Sequence, residues 1–236
     1  MQLTDYLEST YLKTSNEACL SESENLEFIQ KTIQDAIKYK FKLVMLRLSH
    51  LSLANKLIKN SKSSLLLGTV IDFPLGDNST EYKITEAEEA INIGVDELDF
   101  VCDYNAFKRG AYDKFDNDII LCTKLVLSHN KTIKWIIETG ALSKKEIRSV
   151  SIRIDKIATN NFSNSYSKIF IKTSTGYYTG AGATIKDVKI IKSAAAKLQC
   201  KASGGISNLE QCLQMINAGA NRIGTSKAKE IYNEKE

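Results

Sequence analysis

The chain reads as an α/β protein, and within that class as a single-domain (β/α)8 TIM barrel. Three observations predict this. Strand-like and helix-like segments alternate along the whole length with short connections, the pattern of βα units around a parallel sheet. About eight such units are legible in 236 residues, and a closed barrel takes about 250. No Gly-x-Gly-x-x-Gly follows a strand and opens a helix, which disfavours the dinucleotide-binding version of an open, doubly wound sheet. No change of composition marks a linker, so one domain is expected over residues 1–236.

In chain order, Leu3–Leu7 reads as a helical turn and Ser9–Leu12 as a weak first strand. Ser21-x-x-Glu24 is a capping box, and Leu26, Ile29, Ile33 and Ala36 follow at helical spacing. Leu43–Leu46 is a strand and His50–Ile58 a helix. Leu65–Ile71 is the next strand, leading into the turn Phe73-Pro74-Leu75-Gly76, which holds the only proline. Thr85–Ile93 is helical, Glu97–Cys102 extended, and Phe115, Ile119, Cys122 and Val126 line one helix face. Ile133–Ile137 is a strand. Ser143-x-x-Glu146 caps a helix carrying Ile147, Val150, Ile154 and Ile157, and the polar run Asn160–Ser167 reads as a surface loop. Ile169–Lys172 is an apolar strand that opens into hydroxyl residues. Thr184-x-x-Asp187 starts a helix to about Leu198, and Gln199–Ser203 is a strand. Ser207-x-x-Glu210 opens a helix that Gly219 ends, Asn221–Gly224 is the last strand, and a helix closes the chain.

Composition narrows the function. Hydrophobic residues make up 43% and charged residues 25%, ordinary values for a soluble globular chain. The net charge of +4 comes from dispersed lysines, so neither a nucleic-acid partner nor a membrane surface is indicated. No apolar run is long enough to span a membrane and no signal-peptide core is present, which leads to the expectation of a cytoplasmic protein. Five cysteines without paired spacing read as reduced, mostly buried thiols. With only His50 and His129, and no Cys or His cluster, no transition-metal site is expected.

Chemistry concentrates where strands end, which in a barrel is where reactive groups sit. Lys172 closes an apolar strand, and desolvation there disfavours its ammonium form and favours the free amine that attacks a carbonyl. A lone strand-end lysine more often snorkels to solvent. Lys201 lies on the next strand, about 4.8 Å away in a parallel sheet, and a second ammonium group disfavours double protonation. Asp99, between Leu98 and Phe100, is a carboxylate in an apolar strand and needs a cationic partner. If all three point inward, Asp99 is a proton-relay candidate. Gly204-Gly205 and Gly224-Thr225-Ser226 follow the seventh and eighth strands, the recurrent phosphate-binding position of such barrels.

These motifs, in this order, resemble the deoxyribose-phosphate aldolases, a family of class I aldolases. The resemblance rests on Val70-Ile71-Asp72-Phe73-Pro74-Leu75-Gly76, Asp96–Val101, Ile136–Thr139, Phe170–Gly176, Lys201–Ile206 and Ala218–Ser226, and spans nearly the whole chain. It implies reversible cleavage of 2-deoxyribose 5-phosphate to glyceraldehyde 3-phosphate and acetaldehyde, without a cofactor. It assigns Lys172 to the Schiff base, Lys201 to tuning and proton transfer, and Asp99 to proton relay. Gly176, Gly204, Gly205, Thr225 and Ser226 take the phosphate, and Glu8, Thr10, Arg47 and Thr175 are further pocket candidates. Relatives suggest a homodimer, for which the sequence carries no interface signature.

The chain departs from the family pattern at three places. Glu8-Ser9-Thr10 stands where an Asp-His-Thr run is usual, Met45-Leu46-Arg47-Leu48 replaces a Cys-x-Asn-Pro-like pattern, and Ser207 replaces a basic residue found in some members. Two other readings therefore stand beside the aldolase: a catalytically silent sugar-phosphate-binding barrel, and a Schiff-base aldolase for a different aldehyde pair.

Overall fold

In a computed structural model describing residues 2–178 and 182–235, eight parallel strands close into a barrel in sequence order. They are β1 (Leu7–Thr10), β2 (Leu43–Leu46), β3 (Leu66–Ile71), β4 (Glu97–Val101), β5 (Thr132–Ile136), β6 (Ile169–Lys172), β7 (Gln199–Ser203) and β8 (Arg222–Thr225). The helices outside them are α1 (Ser15–Ala18), α2 (Glu22–Lys38), α3 (Leu51–Ser61), α4 (Thr80–Ile93), α5 (Tyr104–Lys108), α6 (Tyr112–Ser128), α7 (Lys144–Asn161), α8 (Ile185–Ala194), α9 (Leu209–Asn217) and α10 (Ala228–Asn233). No helix among the described residues is long and apolar enough to cross a membrane. Cys19 is exposed, and Cys102, Cys122, Cys200 and Cys212 are buried free thiols.

Side chains alternate across each strand. The outward residues of β4 to β6, among them Leu98, Phe100, Ile133, Trp135, Ile169 and Ile171, join the main apolar core with Ile119, Ile147, Val150 and Ile154 of the helices. The inward positions divide in two. Leu43, Met45 and Val70, from β2 and β3, pack with Leu12 as a small apolar cluster. Glu8, Glu97, Asp99, Lys134, Lys172 and Lys201 form a second, charged group, buried with Phe170 beside them.

Helix starts follow their caps. The Ser21, Ser143 and Thr184 hydroxyls accept from the backbone N–H of Glu24, Glu146 and Asp187, as the spacing predicts. Other expectations need correction. The first strand is Leu7–Thr10 rather than Ser9–Leu12, because Glu8, a charge at an inward position, masks the alternation. The fourth helix begins at Thr80 with Ser79 as cap, since Lys83 in its first turns is buried against Asp118 and does not read as apolar. The short α5 has no periodic signal. The ninth helix is capped by Asn208, not Ser207, and the eighth ends at Ala194. The Asn160–Ser167 run is shorter as a loop than expected: α7 extends to Asn161, and a 3-10 turn forms at Tyr166–Lys168.

Candidate active site

The inward charges form one network, set by strand register. Lys172 is directly opposite Lys201 across β6 and β7, Asp99 is opposite Lys134 across β4 and β5, and Lys201 is opposite Arg222 across β7 and β8. Lys172 Nζ and Lys201 Nζ both donate to Asp99 Oδ2, at 2.9 and 2.7 Å. Lys134 Nζ donates to the other oxygen, Oδ1, at 2.9 Å and pairs with Glu97 at 2.5 Å. Lys201 also donates to Glu8, which lies 3.6 Å from Lys134 and 3.5 Å from Arg222.

Burial makes this network decisive for protonation, because each charge has lost its water and depends on its neighbours. Burial pulls the Lys172 ammonium down to about 8; Asp99 opposes that, and the charges of Lys201 and Lys134 add to it. Burial alone would raise Asp99 and Glu8. The lysines overturn this, Lys134, Lys172 and Lys201 for Asp99 and Lys134 and Lys201 for Glu8, and hold both below the usual carboxylate range. Lys134, despite burial, is held above an ordinary lysine by Asp99, Glu8 and Glu97. Charge counting gives the same answer. Four basic side chains (Lys134, Lys172, Lys201, Arg222) face three carboxylates (Glu8, Glu97, Asp99), and deprotonating Lys172 removes the surplus.

Above the network lies a cavity of about 870 Å3 at the C-terminal end of the barrel. Lys172 and Lys201 reach its base, and Thr10, Thr175, Gly176, Gly204, Gly205, Thr225 and Ser226 line it. Glu8 and Asp99 lie beneath its lining, fully buried. Arg47 is outside it and lines a smaller neighbouring cavity.

The loops are tied together by hydroxyl groups. Thr225 Oγ1 donates to the Ile206 carbonyl at 2.6 Å, joining the β7 and β8 loops. Thr175 donates from its backbone N and its hydroxyl to one oxygen of Glu138, which fixes the β6 loop. Gly204 has φ +92°, and a Cβ there would stand 2.7 Å from Ser174 Oγ, so a glycine is needed where the β6 and β7 loops meet.

Sequence reasoning missed Lys134, Glu97, Arg222 and Glu138 as site residues. The signal for Lys134 is in the chain: it stands between Ile133 and Trp135 just as Asp99 stands between Leu98 and Phe100.

Comparisons with known proteins bear on the family and the fold. No protein-family model matches the chain. A deoxyribose-phosphate aldolase from Staphylococcus epidermidis is 39% identical over 232 residues, covering 98% of this chain and 96% of the relative. A solved aldolase superposes with a TM-score of 0.82 at 33% identity, covering 100% of this chain and 98% of the other. The deoxyribose phosphate aldolase of Aeropyrum pernix, described as having a unique tetrameric structure, gives 0.81 at 26% identity, covering 99% and 90%. With a barrel of the same kind and this identity over nearly its full length, the chain belongs to the deoxyribose-phosphate aldolase family.

Proposed function

We propose that the chain cleaves 2-deoxy-D-ribose 5-phosphate reversibly to D-glyceraldehyde 3-phosphate and acetaldehyde through a Schiff base on Lys172. The observation that carries this reading is the shared Asp99 oxygen: a buried lysine with a depressed pKa and a second lysine converge on one carboxylate at the base of the cavity.

The Lys172 amine adds to C1 of the open-chain sugar, and loss of water leaves an iminium. The C3 hydroxyl gives up its proton as the C2–C3 bond breaks. C3 becomes the aldehyde carbon of glyceraldehyde 3-phosphate, and the bonding pair moves into an enamine on Lys172. Protonation at C2 and hydrolysis of the new iminium release acetaldehyde and regenerate the amine. The protonated imine is itself the electron sink, so this chemistry calls on no metal or cofactor. Lys201, touching both Asp99 and Glu8, is the proton donor and acceptor, and Asp99 relays through its two lysine-bonded oxygens. Gly176, Gly204, Gly205, Thr225 and Ser226 line the β6 to β8 end of the cavity, where backbone N–H groups and the Ser226 hydroxyl would meet the phosphate. The reaction fits catabolism of deoxyribose phosphate from deoxyribonucleotides.

Borohydride reduction in the presence of deoxyribose 5-phosphate or acetaldehyde, followed by peptide mapping, tests this. An adduct on the Lys172 peptide is expected. A modified protein with an untouched Lys172 would refute the assignment, and binding without any adduct or aldehyde release would favour a silent sugar-phosphate-binding barrel.

A further inference from the structure

The imine chemistry uses the ionic part of the barrel and the β6 to β8 loops; the wall over β2 and β3 is left without a role. That wall is organised by Arg47, the residue after β2 that departs from the family pattern. Its Nε donates to the Leu12 carbonyl at 2.6 Å and its Nη2 lies 3.5 Å from Glu17. The guanidinium carbon stands 5.4 Å from the centre of the Phe73 ring and 6.0 Å from that of Tyr177. The two rings meet edge to face at 4.9 Å and 80°. One side chain thus joins the loops after β1, β2, β3 and β6.

Two cavities meet along this line. Leu12 and Tyr177 line the main cavity with Lys172, while Arg47, Phe73 and Val70 line a second one of about 380 Å3. Phe73 and Tyr177 also pack against the inward apolar cluster of Leu12, Leu43, Met45 and Val70. The partition is therefore two rings and a leucine over an apolar floor, pinned from outside by a hydrogen-bonded cation on aromatic faces. Through Leu12 and Tyr177 the partition forms part of the wall of the cavity that Lys172 lines.

Resting on the imine reading above, we infer that Arg47 is a positioning residue for specificity: by fixing Tyr177 and Leu12 it limits the aldehyde donor to about two carbons. Without it the rings can relax into the second cavity and admit donors with further methylene groups.

The test compares acetaldehyde, propanal and butanal as donors to glyceraldehyde 3-phosphate in wild type, Arg47→Ala and Tyr177→Leu, with borohydride trapping of each donor alone. One methylene in an apolar pocket is worth about 10- to 200-fold in discrimination. The propanal-to-acetaldehyde ratio of kcat/KM is expected to rise at least about tenfold in Arg47→Ala, through a lower KM for propanal, and in the same direction in Tyr177→Leu. Should Arg47→Ala fail to fold, Tyr177→Leu decides alone. An unchanged ratio with Lys172 still trapped would overturn the inference. A wild-type protein that traps no donor would overturn the imine reading itself, and this inference with it.

Discussion

Lys172 on β6 donates to Asp99 on β4 at 2.9 Å, with both side chains buried inside the barrel. An ion pair would normally raise the lysine's pKa; here burial and two further cations win, and it falls to about 8. The free-amine fraction therefore rises through that pH. The rate of imine formation with acetaldehyde, followed by cyanoborohydride trapping, should increase about tenfold per pH step below about 8 and level off above it. A flat profile between pH 6 and 9 (roughly the titration range of such an amine) would contradict the assignment.

The same group has a cost in stability. Between about 8 and its ordinary 10.5 the native state binds fewer protons through Lys172 than the unfolded chain does, so stability from this group increases as pH rises through that window. Below it the native state carries a disfavoured ammonium. Lys172→Met should thus abolish trapping yet raise the unfolding free energy at pH 7 by about 1–3 kcal/mol. Equal or lower stability of this variant in urea denaturation would show that the Asp99 contact outweighs desolvation.

Lys134 takes the opposite part. It lines neither of the two cavities described above, yet pairs with Glu97, Asp99 and Glu8. Replacing it takes from Glu97 and Asp99 the cation that each bonds directly and from Glu8 a nearby one, and breaking such buried pairs costs about 3–5 kcal/mol. Lys134→Met should lower the urea midpoint strongly, and it should shift the pH dependence of trapping at Lys172, because one of the charges that depress that lysine is gone. A fully stable Lys134→Met protein with an unmoved profile would exclude this role.

The network also contributes to the acid sensitivity of the fold. Glu8 and Asp99 have pKa values lowered from 4.5 and 3.8, so their contribution is complete above those values and is lost as pH falls through their lower folded ones. Lys134 is raised from 10.5, so its contribution holds below that value and fades above it. Stability contributed by these three groups should be level between about pH 5 and 10 and fall on the acid side. Glu8→Gln should flatten that acid slope; chemical denaturation at a series of pH values reads it directly.

The sequence makes the barrel and its reactive lysines legible because they announce themselves locally. Strand and helix alternation names the fold, and Lys172, Lys201 and Asp99 each stand at or within an apolar strand. The first strand is displaced by two residues, and Lys134 is missed, for one reason: a charge at an inward position interrupts the apolar pattern that periodicity reads. Whether such a charge faces solvent or a buried partner depends on register between strands, as in Lys134 opposite Asp99, and register is a property of the closed barrel. Arg47 shows the same limit at the rim. Its chemistry is visible in the chain, but its four-loop span is a tertiary fact.

Gly224 offers the sharpest separation of geometry from charge. The sequence reads it as the end of the last strand and the head of a phosphate-facing loop; in the barrel it lies on β8 against the Lys201 side chain. A Cβ at this position would stand 2.8 Å from Lys201 Cε and 3.2 Å from Ser203 Cβ, closer than carbon atoms pack. Gly224→Ala must therefore push Lys201 from its place between Asp99 and Glu8 without removing any charge. A displacement of about 1 Å at a catalytic group can cost about 100-fold in rate. Turnover of deoxyribose 5-phosphate should drop by roughly that factor, while borohydride still labels Lys172 and the urea midpoint moves far less than in Lys134→Met. Turnover within about twofold of wild type would mean that Lys201 need not be held where it is, and would remove it from the proton-transfer role.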